Sequence, residues 1–279
     1  MVKHFYPQTL AEALEILDKN DCYIMMGGTD LMVQKHRSRG LLPSFDRDVI
    51  YVSHLKELQF IRDDGKELHI GAAVKYIDLL NSDLVPQYLK DVINEIASPQ
   101  IRNMATLTGN IGNASPAGDS LPALYAFDAK LIIQSAHGTR ESLLKDFILS
   151  VRKTTHKKEE IITEIIIPKN NLKYYWKKVG SRNSESISKV SLFGAYELDG
   201  DTIKDLRIAF GSVNVTVVRS REVENKYIGM KISELEAHLP EICEDYAKLI
   251  APINDQRSTK LYREKVAMNL LKKFIRSIG

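Results

Sequence analysis

The sequence predicts an α+β fold in two domains, and three observations lead to this prediction. The chain has 279 residues, 44% of them hydrophobic and 27% charged, which is an ordinary globular composition at a length sufficient for two domains. Before Pro168, short strand-like apolar runs are mixed with amphipathic helical segments; after it, three strands are followed by three helices. We therefore predict one domain at residues 1–170 and a second at residues 171–279.

In the first domain, the sequence predicts short helices and strands around one long loop. A helix over Leu10–Asp18 begins after Thr9, a good N-cap residue. The segment from Pro99 to Pro122 is rich in Gly, Asn, Ser and Thr and predicts a long irregular loop, a type that is usually functional. The other predicted elements are strands at Cys22–Met26, Val49–Val52, Leu68–Ile70, Lys130–Gln134 and Glu160–Ile167, and helices at Leu31–Arg37, Leu84–Ile96 and Leu121–Phe127.

The second domain has a simpler pattern. The predicted strands are Tyr174–Val179, Val190–Leu198 and Thr202–Gly211, the last two joined by an Asp-Gly-Asp turn. The predicted helices are about Val217–Lys226, Leu239–Ile250 and Ser258–Ile278. No internal repeat is present.

Composition and charge exclude several classes of function. Lys and Arg number 39 against 36 Asp and Glu, a net charge of +3, which is too small to indicate nucleic-acid binding. No segment is apolar over the length needed to span a bilayer, and the first residues lack a secretory pattern. The two cysteines, Cys22 and Cys243, are distant in sequence and are expected to be reduced thiols in a cytoplasmic protein. The seven histidines lack metal-ligand spacing, so no metal is expected.

The first segment with binding chemistry is Met25, Met26, Gly27, Gly28, Thr29, Asp30 and Leu31. A strand that ends at two glycines permits close approach of the backbone to a ligand, because no Cβ intervenes. The free N–H groups of such a loop before a helix suit a phosphate or pyrophosphate. The alternative is a plain tight turn, which is the more common meaning of an isolated Gly-Gly pair.

The second segment runs from Thr106 to Asp119 and combines small residues with hydroxyl and amide groups. Asp119 is suited to accept hydrogen bonds from ribose hydroxyls, as carboxylates do in other dinucleotide sites. A surface loop without a ligand is the alternative. The chain lacks the glycine motif of Rossmann domains, the P-loop motif and a serine nucleophile elbow, so a phosphate site here needs another architecture.

Taken together, the segments MGGTDL and ATLTGNIGNASPAGDSLPAL resemble the two flavin-diphosphate loops in the FAD-binding subunits of the xanthine dehydrogenase and carbon monoxide dehydrogenase family. The resemblance continues in the same order through EEIITEIIIP, KKVGSRNSESISKVS, FGSVNVTVVRSREVE and DQRSTKLYREKVAMNLL. It therefore covers nearly the whole chain. It implies a vanillyl-alcohol-oxidase-type FAD-binding domain followed by a smaller domain of three-stranded antiparallel sheet and helical bundle.

The resemblance also implies roles for individual residues. Met25 to Leu31 are expected to wrap the pyrophosphate of FAD, and Asp119 is expected near the adenosine ribose. Lys178 is expected near the pyrimidine edge of the isoalloxazine ring, where a cation favours the reduced flavin; without the resemblance it is read as an ordinary exposed lysine. The remaining expected FAD contacts are Ile101, Thr106, Thr108, Gly109, Asn110, Asn113, Ser115 and Ile162.

Two positions depart from the family pattern. Thr108 stands where the family usually has glycine, so its side chain either reaches the phosphate or displaces the backbone. Val217 stands where the family often has proline, at a place remote from the expected flavin site.

The function that the resemblance implies is that of one subunit in a larger enzyme. A molybdenum-pterin subunit oxidises the substrate, [2Fe-2S] clusters on a small subunit pass electrons onward, and non-covalently bound FAD on this chain delivers them to NAD or another acceptor. Family frequency favours a purine substrate. Two alternatives stay open: a stand-alone FAD-dependent reductase of the same superfamily, and a flavin-free nucleotide-binding or assembly module.

Overall fold

The computed structural model describes residues 1–36, 38 and 40–278. The chain forms two compact units, and neither is continuous in sequence. Unit 1 consists of Met1–Pro86, Ala97–Ala114 and Asp128–Lys169; unit 2 consists of Gln87–Ile96, Ser115–Phe127 and Asn170–Gly279.

Both units combine helices and strands. The helices are α1 (Leu10–Lys19), α2 (Leu31–Gln34), α3 (Tyr76–Asn81), α4 (Gln87–Asn94), α5 (Pro99–Arg102), α6 (Leu107–Asn113), α7 (Ser120–Ala126), α8 (Leu144–Phe147), α9 (Arg221–Asn225), α10 (Ile232–Leu235), α11 (Leu239–Leu249) and α12 (Lys260–Ile275). The strands are β1 (His4–Phe5), β2 (Cys22–Met25), β3 (Asp48–Tyr51), β4 (Ile61–Asp63), β5 (Glu67–Gly71), β6 (Lys130–Ser135), β7 (Gly138–Leu143), β8 (Ile148–Ser150), β9 (Lys153–Thr154), β10 (Ile161–Pro168), β11 (Lys173–Val179), β12 (Val190–Asp199) and β13 (Thr202–Gly211).

Unit 1 contains a parallel sheet and an antiparallel sheet. The parallel sheet has the order β1-β3-β2, with Met25 at the end of β2 opposite Tyr51. The antiparallel sheet has the order β4-β5-β10-β6-β7. Ala13 and Leu17 of α1 pack with Ile50 of β3 and Ile161 of β10 in one buried apolar cluster. Cys22 of β2 belongs to the same cluster, so the loop that follows β2 starts from a packed element.

Unit 2 is built on the antiparallel sheet β11-β12-β13. Helices α11 and α12 pack with this sheet in one apolar cluster that includes Phe210, Tyr246 and Phe274. A Cβ at Gly194 of β12 would lie 2.6 Å from the ring carbon Cε1 of Phe274. Glycine at this position therefore lets the ring of α12 lie directly on the sheet.

The predicted α+β class is confirmed, as are the three antiparallel strands near the C-terminus. The predicted boundary at residue 170 follows chain order, whereas unit 2 also includes two earlier segments, Gln87–Ile96 and Ser115–Phe127. The division into domains 1–170 and 171–279 stays a prediction. Of the predicted helix Leu31–Arg37, the part Leu31–Gln34 is helical and Arg37 lies outside the described residues.

Two predicted segments were wrong. The segment Pro99–Pro122 is not an irregular loop, because it contains α5, α6 and the start of α7. Its helices are short and are capped by Ser98 and Thr106, and these polar caps resemble loop composition in the sequence. The helix predicted over Val217–Lys226 begins only at Arg221, because the backbone of Val218 forms two hydrogen bonds with Phe210 of β13.

A membrane-crossing helix is also absent from the part of the chain that the structure describes, since none of its helices has the required length and apolar character.

Candidate functional site

The first loop, Met25 to Leu31, packs directly against the backbone that leads into α6. A Cβ at Gly27 would lie 2.7 Å from the carbonyl carbon of Met104 and 2.9 Å from Cα of Ala105. Real Cβ atoms do not approach backbone atoms this closely. The absent side chain of Gly27 thus permits contact between two protein segments. The predicted approach of a ligand to Gly27 stays a prediction.

Gly28 serves the loop in a different way. Its φ of +70° lies in the left-handed region that favours glycine. A Cβ there would lie 2.6 Å from Sδ of Met25, a flexible side chain. Among the described residues, the N–H groups of Gly28, Thr29 and Asp30 are not donors in any backbone–backbone hydrogen bond. The left-handed turn therefore leaves a run of donors available to a ligand.

The second segment presents α6 instead of a loop. Thr106 caps the helix, because its hydroxyl accepts a hydrogen bond from the N–H of Gly109 at 2.9 Å. Thr108 is buried, and its Oγ1 has no hydrogen-bond partner among the described residues. A buried hydroxyl without a partner costs free energy, about 1–3 kcal/mol. A ligand acceptor such as a phosphate oxygen would satisfy it.

Side chains of the two segments also bond to each other. Asn113 Nδ2 donates to Asp30 Oδ2 at 3.0 Å, and Gln34 Nε2 donates to Asn113 Oδ1 at 2.8 Å. Asp30 occupies the N-cap position of α2, but its side chain makes no capping bond there. Its carboxylate is bonded to Asn113 instead.

The other predicted contacts of unit 1 differ in exposure. Ile101 on α5 is 38% exposed, and Asn110 on α6 is half-buried. Ile162 is buried in β10, directly before a register shift in the pairing with β6. The structure brings Thr106, Thr108, Gly109 and Asn110 together on α6. The contacts of all these residues with a ligand stay predictions.

In unit 2, Asp119 and Lys178 form a buried ion pair. Lys178 Nζ lies 2.7 Å from Asp119 Oδ2 and donates a second bond, also 2.7 Å, to the carbonyl of Glu95. Ser188 donates to the other oxygen of Asp119. Burial raises the pKa of Asp119, whereas Lys178 and Ser188 oppose that rise by stabilising its anion. Lys178 is not an ordinary exposed lysine, since its side chain is only 7% exposed.

This contact makes the two predicted roles depend on each other. The resemblance implies the ribose for Asp119 and the isoalloxazine ring for Lys178, which belong to different halves of FAD. The two residues form one ion pair, and both predicted contacts with FAD stay predictions. Ser115, also in unit 2, is half-buried, and its hydroxyl accepts a bond from the N–H of Ala117 at 3.3 Å.

Comparison with known proteins assigns both parts of the chain to families. Residues 1–170 match the FAD-binding domain of molybdopterin dehydrogenases, and residues 175–278 match the C-terminal domain of carbon monoxide dehydrogenase flavoproteins. The glyceraldehyde dehydrogenase medium chain of Sulfolobus acidocaldarius is 30% identical over 98% of this chain and 96% of its own length. The chain belongs to the FAD-binding subunit family of the molybdenum hydroxylases.

Further relatives and solved structures agree with membership of this FAD-binding subunit family. The xanthine dehydrogenase FAD-binding subunit of Escherichia coli O157:H7 is 29% identical, over 96% of this chain and 92% of its own length. The structure of reconstituted CO dehydrogenase from Oligotropha carboxidovorans superposes with a TM-score of 0.89 over 99% of this chain and 96% of that chain, at 22% identity. At that identity the superposition shows a shared fold.

The residues of unit 1 fit the cofactor of this FAD-binding subunit family. The buried and unpaired hydroxyl of Thr108 supplies a donor, and Gly28, Thr29 and Asp30 supply N–H groups that backbone acceptors leave free among the described residues. These groups are hydrogen-bond donors, as an anionic diphosphate requires. Thr108 is therefore compatible with FAD although the family usually has glycine there.

Asp64, Glu67 and His69 form the candidate group for a metal ion in the described part of the chain, with ligand atoms within 4.8 Å of one another. Asp64 already accepts bonds from the N–H groups of Lys66 and Glu67. Nδ1 of His69 lies 2.5 Å from Oε1 of Glu164. These groups are used in a turn and an ion-pair network, and the prediction that the chain holds no metal stays a prediction.

The sequence pattern does not indicate two residues of these networks, Gln34 and Ser188. Gln34 is four residues after Asp30, and on a helix this spacing places both side chains on one face. That spacing is a weak signal that becomes meaningful only when Asn113 lies beside it. Ser188 is remote in sequence from Asp119, and no local pattern indicates their contact.

Proposed function

We propose that this chain is the electron-transfer subunit of a molybdenum hydroxylase. It binds FAD non-covalently and receives electrons from [2Fe-2S] clusters on a small partner subunit. The molybdenum-pterin site lies on a large partner subunit, and the acceptor is NAD or another oxidant. When bound, FAD supplies the exchange of electrons between one-electron and two-electron carriers.

The observation that carries this proposal is the unsatisfied donor set in unit 1. Gly27 lets the first loop pack against the backbone before α6, and Thr108 on α6 keeps a buried hydroxyl without a partner. We propose that the loop N–H groups and this hydroxyl bind the diphosphate of FAD. Met25 and Met26 provide the rigid entry to the loop, since Met25 belongs to β2.

In unit 2, the FAD contacts of Asp119, Lys178 and Ser115 stay predictions that follow from the resemblance. The positive charge of Lys178 is balanced by Asp119 at 2.7 Å. The pair consequently offers hydrogen-bonding groups with little net charge, and its effect on the flavin is smaller than that of an isolated cation.

In this proposal, a partner subunit and not this chain determines the substrate of the whole enzyme. Relatives named for glyceraldehyde, xanthine and nicotinate dehydrogenases are 30%, 29% and 28% identical to this chain. Similarity that is nearly equal across three substrates suits a subunit that does not contact the substrate. A purine substrate and a cytoplasmic location stay predictions.

Purification of the full chain, alone and with its partners, tests the proposed function. We expect the single chain to show flavin absorption, to release FAD that mass spectrometry identifies, and to contain no iron or molybdenum. It should not oxidise purines or aldehydes. Co-expression with a molybdenum subunit and a [2Fe-2S] subunit should give a complex with hydroxylase activity. A chain purified without flavin, or one that alone hydroxylates a heterocycle, would contradict the proposal.

A further inference from the structure

The side chains of Asp30, Gln34 and Asn113 form a link across the two FAD segments. Asn113 is the last residue of α6, Asp30 is the N-cap of α2, and Gln34 is the last residue of α2. The amide of Asn113 lies along that turn, donating to Asp30 at 3.0 Å and accepting from Gln34 at 2.8 Å. One side chain of α6 therefore holds both ends of α2.

The bonding of Asp30 shows that this link replaces a local interaction. Aspartate at an N-cap ordinarily accepts a bond from its own helix, yet Asp30 makes no such bond. A carboxylate also repels a diphosphate, so Asp30 is poorly suited to contact that anion directly. Both points indicate that the carboxylate serves to hold Asn113.

The link consists only of side chains, and two of its members are exposed. Asp30 and Gln34 are exposed and Asn113 is half-buried. The contact at Gly27, in contrast, is between backbones and is fixed by packing. The side-chain link can therefore open without loss of the core around β2.

We propose that Asp30, Gln34 and Asn113 form a latch that controls the rate at which FAD leaves the site. This inference rests on the proposed function. If the loop N–H groups and Thr108 bind one diphosphate, as proposed above, FAD leaves when the first loop separates from α6, and α2 directly continues that loop. The three residues act as positioning residues: they hold the loop, while the N–H groups and Thr108 bind the cofactor.

The rate of FAD dissociation from the full chain, measured by the return of flavin fluorescence on dilution, tests the latch. Gln34→Ala removes one bond and should accelerate dissociation about five- to tenfold. Val33→Ala is the matched control, because Val33 lies on the same turn, is 73% exposed and is apolar. It should leave the rate unchanged.

A reciprocal exchange of two side chains separates the latch from a direct contact with FAD. Asn113→Asp loses the donor and places two carboxylates together, so dissociation should accelerate more than tenfold. Asp30→Asn keeps an acceptor oxygen but removes the charge that strengthens the bond, so its dissociation should accelerate less than that of Asn113→Asp. In the double variant Asp30→Asn/Asn113→Asp the donor and acceptor are exchanged, and the rate should return to within about twofold of the wild type.

The outcomes are distinct. If the double variant loses FAD as fast as Asn113→Asp, Asn113 contacts the cofactor itself and the latch is refuted. The latch is equally refuted if Gln34→Ala and Val33→Ala match the wild type. A wild-type chain without any FAD would instead overturn the proposed function, and this inference with it.

Discussion

Gly27 and Gly112 differ in the space that surrounds them: a side chain would clash at Gly27 and would not clash at Gly112. A Cβ at Gly27 would meet the backbone of Met104 and Ala105, whereas nothing lies within 4 Å of a Cβ at Gly112. Backbone atoms cannot rotate away as a side chain can. The tolerance of each position is therefore set by what surrounds it and not by the residue type.

Gly27→Ala is expected to impair both folding and cofactor binding. The added methyl forces the first loop away from α6, at a cost of about 1–3 kcal/mol in the free energy of unfolding. The displaced loop should lower FAD affinity at least tenfold, measured by titration of the apo-chain with FAD.

Gly112→Ala is the control for this prediction. Gly112 lies within α6 without a positive φ, so alanine should be neutral or stabilising by up to about 1 kcal/mol. Equal FAD affinity in the two variants would refute the role given to Gly27.

At the scale of elements, an ion pair joins Arg140 of β7 to Glu160, the residue directly before β10. Arg140 Nε and Nη2 each donate to Glu160 at 2.7 Å, and the N–H of Lys157 donates to Glu160 at 2.9 Å. Glu160 is buried. The hydrogen bonds from Arg140 are the largest cause that lowers the pKa of Glu160 below its ordinary value of 4.5.

This ion pair predicts a defined pH dependence of stability. A carboxyl with a lowered pKa in the folded state contributes stability above its unfolded pKa, and the contribution is lost as pH falls through the folded pKa. Glu160→Gln should therefore lower the free energy of unfolding by about 1–3 kcal/mol at pH 7. The difference from the wild type should shrink below about pH 4.5.

Thermal unfolding of both proteins between pH 3 and pH 7 measures this difference. A difference that stays constant over that range would show that the charge of Glu160 is unimportant.

At the scale of the whole molecule, the residue types in the two segments predict how the cofactor is attached. The segments Met25–Leu31 and Thr106–Asp119 contain no His, Cys or Tyr, the residue types that attach flavins covalently. We expect acid precipitation to release all flavin into the supernatant, as absorbance shows. Flavin retained in the washed precipitate would refute non-covalent binding.

The sequence by itself determined the family, the α+β class and the two segments that carry the candidate site. These features depend on local patterns: the glycines after β2, the polar run around α6 and the regular strands of unit 2. It also placed β2, α1, α7 and β11–β13 close to their observed bounds, because their apolar periodicity agrees with their burial.

Only the tertiary structure decided which of the candidate residues act on one another. Asp30 bonds to Asn113, and Asp119 bonds to Lys178 and Ser188, across long separations in sequence. Gly27 likewise owes its role to Met104, which comes from another part of the chain. The local sequence indicates the conformational propensity and the chemistry of a side chain. Its contact partners at long sequence distance depend on how the chain packs. Packing therefore links the side chains of Asp30 and Asn113 within the protein, and their contacts with FAD stay predictions.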